Sequence, residues 1–286
     1  MIDIVVAGGA LLGECPVWSV AEDRLYWVDI EGRLIHRSDP ATGTDEASAT
    51  PGRPGSIALT DTPGRLLVAS EHELGWFDWS TGVVEPWVEL EEPGTGNRLN
   101  DGRCDPSGRF WVGSMYEDTS DGRSTGMLHR VEPNGSVTTV RSEVGVSNAL
   151  AFSPDGRTMY WADSFRDTVW AYDYDPDDGS IREERVFVAP GTAPGKPDGA
   201  CVDADGCLWV ARVRGGALAR FSPSGTLDRL IELPVDAPTM PAFGGTDLST
   251  LYVTSLGGGD PHDPEAGALL ALDVGIHGLP EPSFSG

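Results

Sequence analysis

The chain has 286 residues, 45 acidic against 20 basic, for a formal charge of −25 and a pI near 4.3. That charge repels nucleic-acid phosphates and anionic lipid, so neither is expected as a partner; most of it reads as solubilising surface, as at Asp175, Asp177 and Asp178. Glycine (37), proline (22) and tryptophan (9) stand where a helical protein would carry long Ala/Leu/Glu/Lys runs, which points to many short strands joined by tight turns.

At the N-terminus, MIDIVVAGGALLGECP has no basic n-region, and no stretch reaches the ~20 apolar residues of a bilayer span, so a cytoplasmic protein is expected. One unit then recurs six times. Its second run reads RLYWVD from Arg24, RLLVAS from Arg65, RFWVGS from Arg109, TMYWAD from Thr158, CLWVAR from Cys207 and TLYVTS from Thr250. Upstream of each lies a first run: ECPVWS from Glu14, SIALTD from Ser56, NDGRCD from Asn100, NALAFS from Asn148, DGACVD from Asp198 and MPAFGG from Met240. Turn signals such as DPSG at 105–108 and SPDG at 153–156 separate the two. A third run follows, then a glycine turn, and in most copies a fourth apolar run, as at 83–90, 137–141 and 227–233.

Three to four strands per ~45 residues, six times over, predict an all-β six-bladed β-propeller forming one domain over 1–286. The last copy ends in a short tail, 279–286, so Ile2–Val6 is expected to supply its outer strand and close the ring. The longest insertions, 91–98, 117–126, 190–197 and 257–267, are expected on one face, where binding groups gather.

The first strand of a propeller blade lines the axial channel, so the residues opening the first runs form a ring: Glu14, Ser56, Asn100, Asn148, Asp198 and Met240. Four of them carry side-chain oxygens suited to a hard divalent cation. Asp and Asn also begin strands through turn geometry alone. Glu14 does not fit that explanation, because Glu forms turns poorly and an inward carboxylate needs a partner or a cation. Glu14, Asn148 and Asp198 are therefore the expected ligands of one divalent ion (Ca, Zn, Mn, Mg or Fe), since oxygen donors accept several. Such a site polarises a carbonyl and lets Asp198, or a cation-held hydroxide, activate water, which is ester or lactone hydrolysis. No GxSxG elbow supports a serine hydrolase.

Arg98 and Asn100, in GNRLNDG, are expected to bind hydroxyl and carbonyl oxygens of a sugar-like ligand. Glu117 and Asp118, on the next insertion, are candidates for bonding sugar hydroxyls; solvated loop acids are the competing explanation. Four cysteines without CxxC spacing read as small buried hydrophobes, and five scattered histidines build no metal motif.

These segments resemble the regucalcin/gluconolactonase (senescence marker protein) family of six-bladed metal-dependent lactonases. GECPVW is similar to the family's GEGPVW, NRLNDGRCDPSGRFWVGSM to its R-x-N-D-G…G-T-M segment, SNALAFSPDGRTMYWAD to its N-G-x-x-x-SPDG stretch, and PDGACVDADGCLWVAR to its P-D-G…D-x-x-G-x-x-W segment. The resemblance implies metal ligation by Glu14, Asn148 and Asp198, with Asp198 also the general base. It implies substrate binding by Arg98 and Asn100, and more loosely by an acid near Glu117 and Asp118. Cys15 and Ala149 depart from the family's glycines. A small-molecule sugar lactone, opened to its aldonate by a monomer or weak homo-oligomer, is the expected substrate. A YWTD-like binding propeller, suggested by LYWVD and MYWAD, and a metal-dependent esterase or phosphoesterase are the rival readings.

Overall fold

Each repeat must bury two apolar middle strands while its innermost strand meets a channel and its outermost meets water. The computed structural model describes residues 2–257 and 265–286, and these form six four-stranded antiparallel sheets. The arrangement is the six-bladed β-propeller that the repeats predict. Its innermost strands are Gly13–Ser19, Pro54–Leu59, Asn97–Cys104, Ser147–Phe152, Lys196–Val202 and Pro238–Gly244. All are largely buried, because neighbouring blades pack against them.

Ile2–Val6 pairs antiparallel with Leu269–Asp273 and so completes the sixth blade with a strand from the other end of the chain. Closure gives the sixth blade the same four strands as the others, so that only the short outer edges typical of a propeller remain. The outer strand of the first blade is Thr44–Ala49 (TDEASA), whose mostly exposed residues pair one for one with Leu34–Asp39. It has no apolar face, so hydrophobic patterning does not reveal it.

The repeated D-x-x-G turns are fixed by their own aspartates. Asp203 accepts from the Asp205 and Cys207 amides through Oδ1, and from Trp209 Nε1 and Arg220 Nε, both at 2.8 Å, through Oδ2. Asp105 does the same for Ser107, Arg109 and Trp111. Trp111 and Trp209 are thereby buried with their indole N–H satisfied. All four cysteines are buried and free, as expected.

The C-terminal tail does more than end the last blade. It runs across the channel at the far ends of the innermost strands: Gly278 bridges Asp203, Glu281 pairs with buried Arg103 at 2.7 Å, and Phe284 bridges Thr60. Phe284 is 1 % exposed and packs 5.8 Å from Trp76 and 5.6 Å from Trp87. Phe284→Ala is expected to lower the unfolding free energy by about 3–4 kcal/mol in a denaturant titration, and a loss under about 1 kcal/mol would contradict the tail's role as a packed plug.

Candidate metal and substrate site in the axial channel

Ladder register places the ring residues at one level. Glu14, Ser56 and Asn148 pair with Val28, Ala69 and Ala162, the penultimate residues of the second strands. In blades three, five and six a bulge falls at that level, setting Asn100–Asp101, Asp198–Gly199 and Thr239–Met240 each against one residue. In blades one and four the bulge comes one residue later, and Cys15 (φ 46°) and Ala149 (φ 54°) adopt left-handed backbone. That conformation favours glycine, which explains the glycine of the resembled motifs at these two positions. The NDG and PDG glycines have a different reason: a Cβ on Gly102 would lie 2.6 Å from Ser56 Oγ, and one on Gly199 2.4 Å from the Met240 side chain.

Two aspartates at the ends of second strands set the loops that deliver Glu14 and Asn148. Asp29 accepts from the Leu11 and Leu12 amides, and Asp163 from those of Gly145 and Val146. Asn148 Nδ2 donates to Ser164 Oγ at 2.8 Å, and Ser164 Oγ donates to Pro197 O at 2.6 Å, which ties Asn148 to the residue before Asp198. With its amide nitrogen so held, Asn148 turns Oδ1 towards Asn100 Nδ2, 3.1 Å away.

Burial, then repulsion from Asp198 and Asp101, raises the Glu14 carboxyl well above its ordinary range. Asp198 is half-buried; desolvation, then the Asp101 charge, push it up to about 8, against stabilisation by Arg98 and Asn148. The structure thus brings Glu14, Asn148 and Asp198 together as one electrostatic group. Among the described residues no three His, Cys, Asp or Glu side chains form a metal cluster; the candidate set is two carboxylates and an amide. Its chemistry fits a divalent cation, which would relieve the repulsion that otherwise keeps these acids protonated.

Arg98 lies beside them. Its Nη1 donates to Asn100 Oδ1 at 2.8 Å and to Leu99 O, while desolvation and the nearby Arg53 pull its pKa down to about 10. Asn100 in turn donates to Ser147 O and Asn148 Oδ1. Glu117 is at the mouth, near enough to act on Arg98, but its carboxylate is held by Arg53 Nη2 at 2.7 Å. Asp118 is turned away from this group: it caps the short turn Thr119–Asp121, accepting from Ser120 N and Oγ. Arg53, which also meets Glu71 at 3.1 Å and Glu31 at 3.6 Å, carried no sequence signal, and neither did the buried Asp101. Most of the 257–267 insertion (258–264) lies outside the described residues.

A six-bladed propeller with acids and amides converging in its axial channel is the class that the fold and the site define. Within that class the chain belongs to the SMP-30/Gluconolactonase/LRE-like family, whose model matches residues 12–257. It is 38% identical to a 6-deoxy-6-sulfogluconolactonase of Pseudomonas putida (99% of this chain, 98% of the relative) and 37% identical to a pentonolactonase of Haloferax volcanii (97% and 96%). The solved structure of a calcium-binding protein, regucalcin, from Agrobacterium tumefaciens superposes with a TM-score of 0.93 at 31% identity, covering 99% of this chain and 97% of that one.

The raised acid pKa values have a signed consequence. In metal-free protein, folded Asp198 holds a proton that the unfolded chain releases near its ordinary pKa of 3.8, so this contribution is present at low pH and is lost as pH rises towards about 8. In chelator, wild type is expected to lose thermal stability relative to Asp198→Asn between pH 5 and 8; parallel melting curves would contradict the raised value.

Proposed function

We propose that this chain is a divalent-cation-dependent lactonase that opens a sugar 1,4- or 1,5-lactone to its aldonate. The observation that carries the proposal is the convergence of two mutually repelling acids, Glu14 and Asp198, on the Asn148 amide, with Arg98 and Asn100 alongside. The lactonase names of two full-length relatives support the same substrate class. Glu14, Asn148 and Asp198 would hold the cation. When bound, it supplies a Lewis acid that polarises the lactone carbonyl and stabilises the oxyanion.

The chain's own groups do the rest. Arg98 and Asn100 orient the lactone by hydrogen bonds to its carbonyl and hydroxyl oxygens, with the Arg98–Asn100 contact fixing both side chains. Asp198 accepts a proton from the attacking water as the oxygen bonds to the carbonyl carbon. The ring C–O bond then breaks, the ring oxygen leaves as a hydroxyl carrying that proton, and the new acid ionises. Glu117, paired with Arg53, would meet a hydroxyl on the sugar tail; Asp118, occupied as a cap, is the weaker candidate.

The test is acid release from a panel of aldonolactones, with a simple ester and a phosphate monoester as controls, after chelation and restoration of Ca²⁺, Zn²⁺, Mn²⁺, Mg²⁺ or Fe²⁺. Lactone hydrolysis that disappears on chelation and returns with at least one ion is expected. Asp198→Ala should lose about a thousandfold or more in kcat while melting as a folded protein. No metal-stimulated hydrolysis of any lactone would refute the proposal, and an active Asp198→Ala would remove Asp198 from the chemistry.

A further inference from the structure

Asp101 has no place in the roles assigned above, yet it is 5 % exposed and follows directly on Asn100. Its Oδ2 accepts from the Leu150 amide at 2.9 Å. That amide belongs to the bulge after Asn148, where Ala149 and Leu150 stand together between the Asn148–Ala162 and Ala151–Tyr160 pairs. Asn100, one residue earlier, donates to Ser147 O and Asn148 Oδ1. Two consecutive residues of blade three therefore grip 147–150 of blade four on both sides of Ala149, whose left-handed backbone is costly for any residue with a side chain.

The second carboxylate oxygen is unspent. Apart from the adjoining Gly102 amide, which acts on the carboxylate without completing a hydrogen bond to it, Asp101 Oδ1 is buried and meets no donor among the described residues. Arg103, two residues on, stabilises the Asp101 charge at a distance but makes no hydrogen bond to this oxygen: its Nη1 goes to Glu281, its Nη2 to Ala200 O, and its Nε is buried without a partner among the described residues. The Asp101 charge reaches both Glu14 and Asp198.

We propose that Asp101 is a positioning residue of the cation site: it pins the bulge that aims the Asn148 amide oxygen, and it adds a third negative charge behind Glu14 and Asp198 that strengthens cation binding. The role rests on the cation-dependent reading above. A bulge left unpinned would let Asn148 rotate, and outer-shell partners of this kind are worth about 10–100-fold in metal affinity.

Two substitutions test both parts. Asp101→Asn keeps an oxygen for the Leu150 amide and removes the charge; Asp101→Ala removes both. Calorimetric titration of metal-free wild type and both variants with Ca²⁺ and with Mn²⁺ should give affinities about 10-fold weaker for Asn and about 100-fold weaker for Ala. Hydrogen exchange at 148–151 should quicken in the Ala variant. Above about pH 8, where folded Asp198 is ionised, metal-free Asp101→Asn should melt at the same temperature as wild type or higher, because relieving like-charge repulsion stabilises the empty site; a merely structural aspartate would lose stability and affinity together. Wild-type affinity in the Asn variant overturns the charge contribution, an arm that stands even where the Ala variant fails to fold, and wild-type affinity with unchanged exchange at 148–151 in the Ala variant overturns the pin. A wild type that binds neither ion instead overturns the cation reading itself.

Discussion

Three acids, Glu14, Asp101 and Asp198, are held together at the axis of this protein, where burial and one another's charge disfavour their ionisation. Burial dominates the raised pKa of each, and mutual repulsion adds to it at Glu14 and Asp198. A flexible chain would relax by turning one of them to water. Here each sits on a different blade, and no blade can move outward without opening a sheet interface. The closing pair of Ile2–Val6 with Leu269–Asp273 is thus more than an edge cover. It is the restraint that turns six repeats into a closed ring and holds the three acids, each on its own blade, at the axis.

The two ends of the channel are treated differently. On the site side, Arg98 offsets part of the negative charge and Asn100 links it to the Asn148 amide, so that the donors are oriented in advance. On the far side, Arg103 is held by Glu281 of the C-terminal tail and by the Ala200 carbonyl. Phe284 anchors that tail among Trp76 and Trp87. At the opposite mouth Arg53 gathers Glu31, Glu71 and Glu117 from three neighbouring blades into one network.

Much of this is legible in the chain itself. The six second-strand runs carry the blade count, and the oxygen-bearing residues at the head of the first runs mark Glu14, Asn148 and Asp198, because a residue type that recurs at one level of a repeat reports its position while a departure reports chemistry. Features that do not repeat were invisible. Thr44–Ala49 is wetted along most of its length and carries no apolar alternation. Arg53 and Asp101 owe their importance to neighbours 64 and 49 residues away in sequence, which no local pattern encodes. Asp118 was singled out for its place beside Glu117; in the structure its carboxylate caps the turn Thr119–Asp121. Cys15 and Ala149 stood out as replacements of glycine; only their left-handed backbone shows what the glycines are for.

The central claim, that the ring of blades focuses Glu14, Asn148 and Asp198 on one divalent cation, is tested most directly by anomalous diffraction from crystals grown with Mn²⁺. A single anomalous peak within coordination distance of an oxygen from each of the three residues is the predicted result. A peak elsewhere in the molecule, or a channel without one at saturating Mn²⁺, would contradict it.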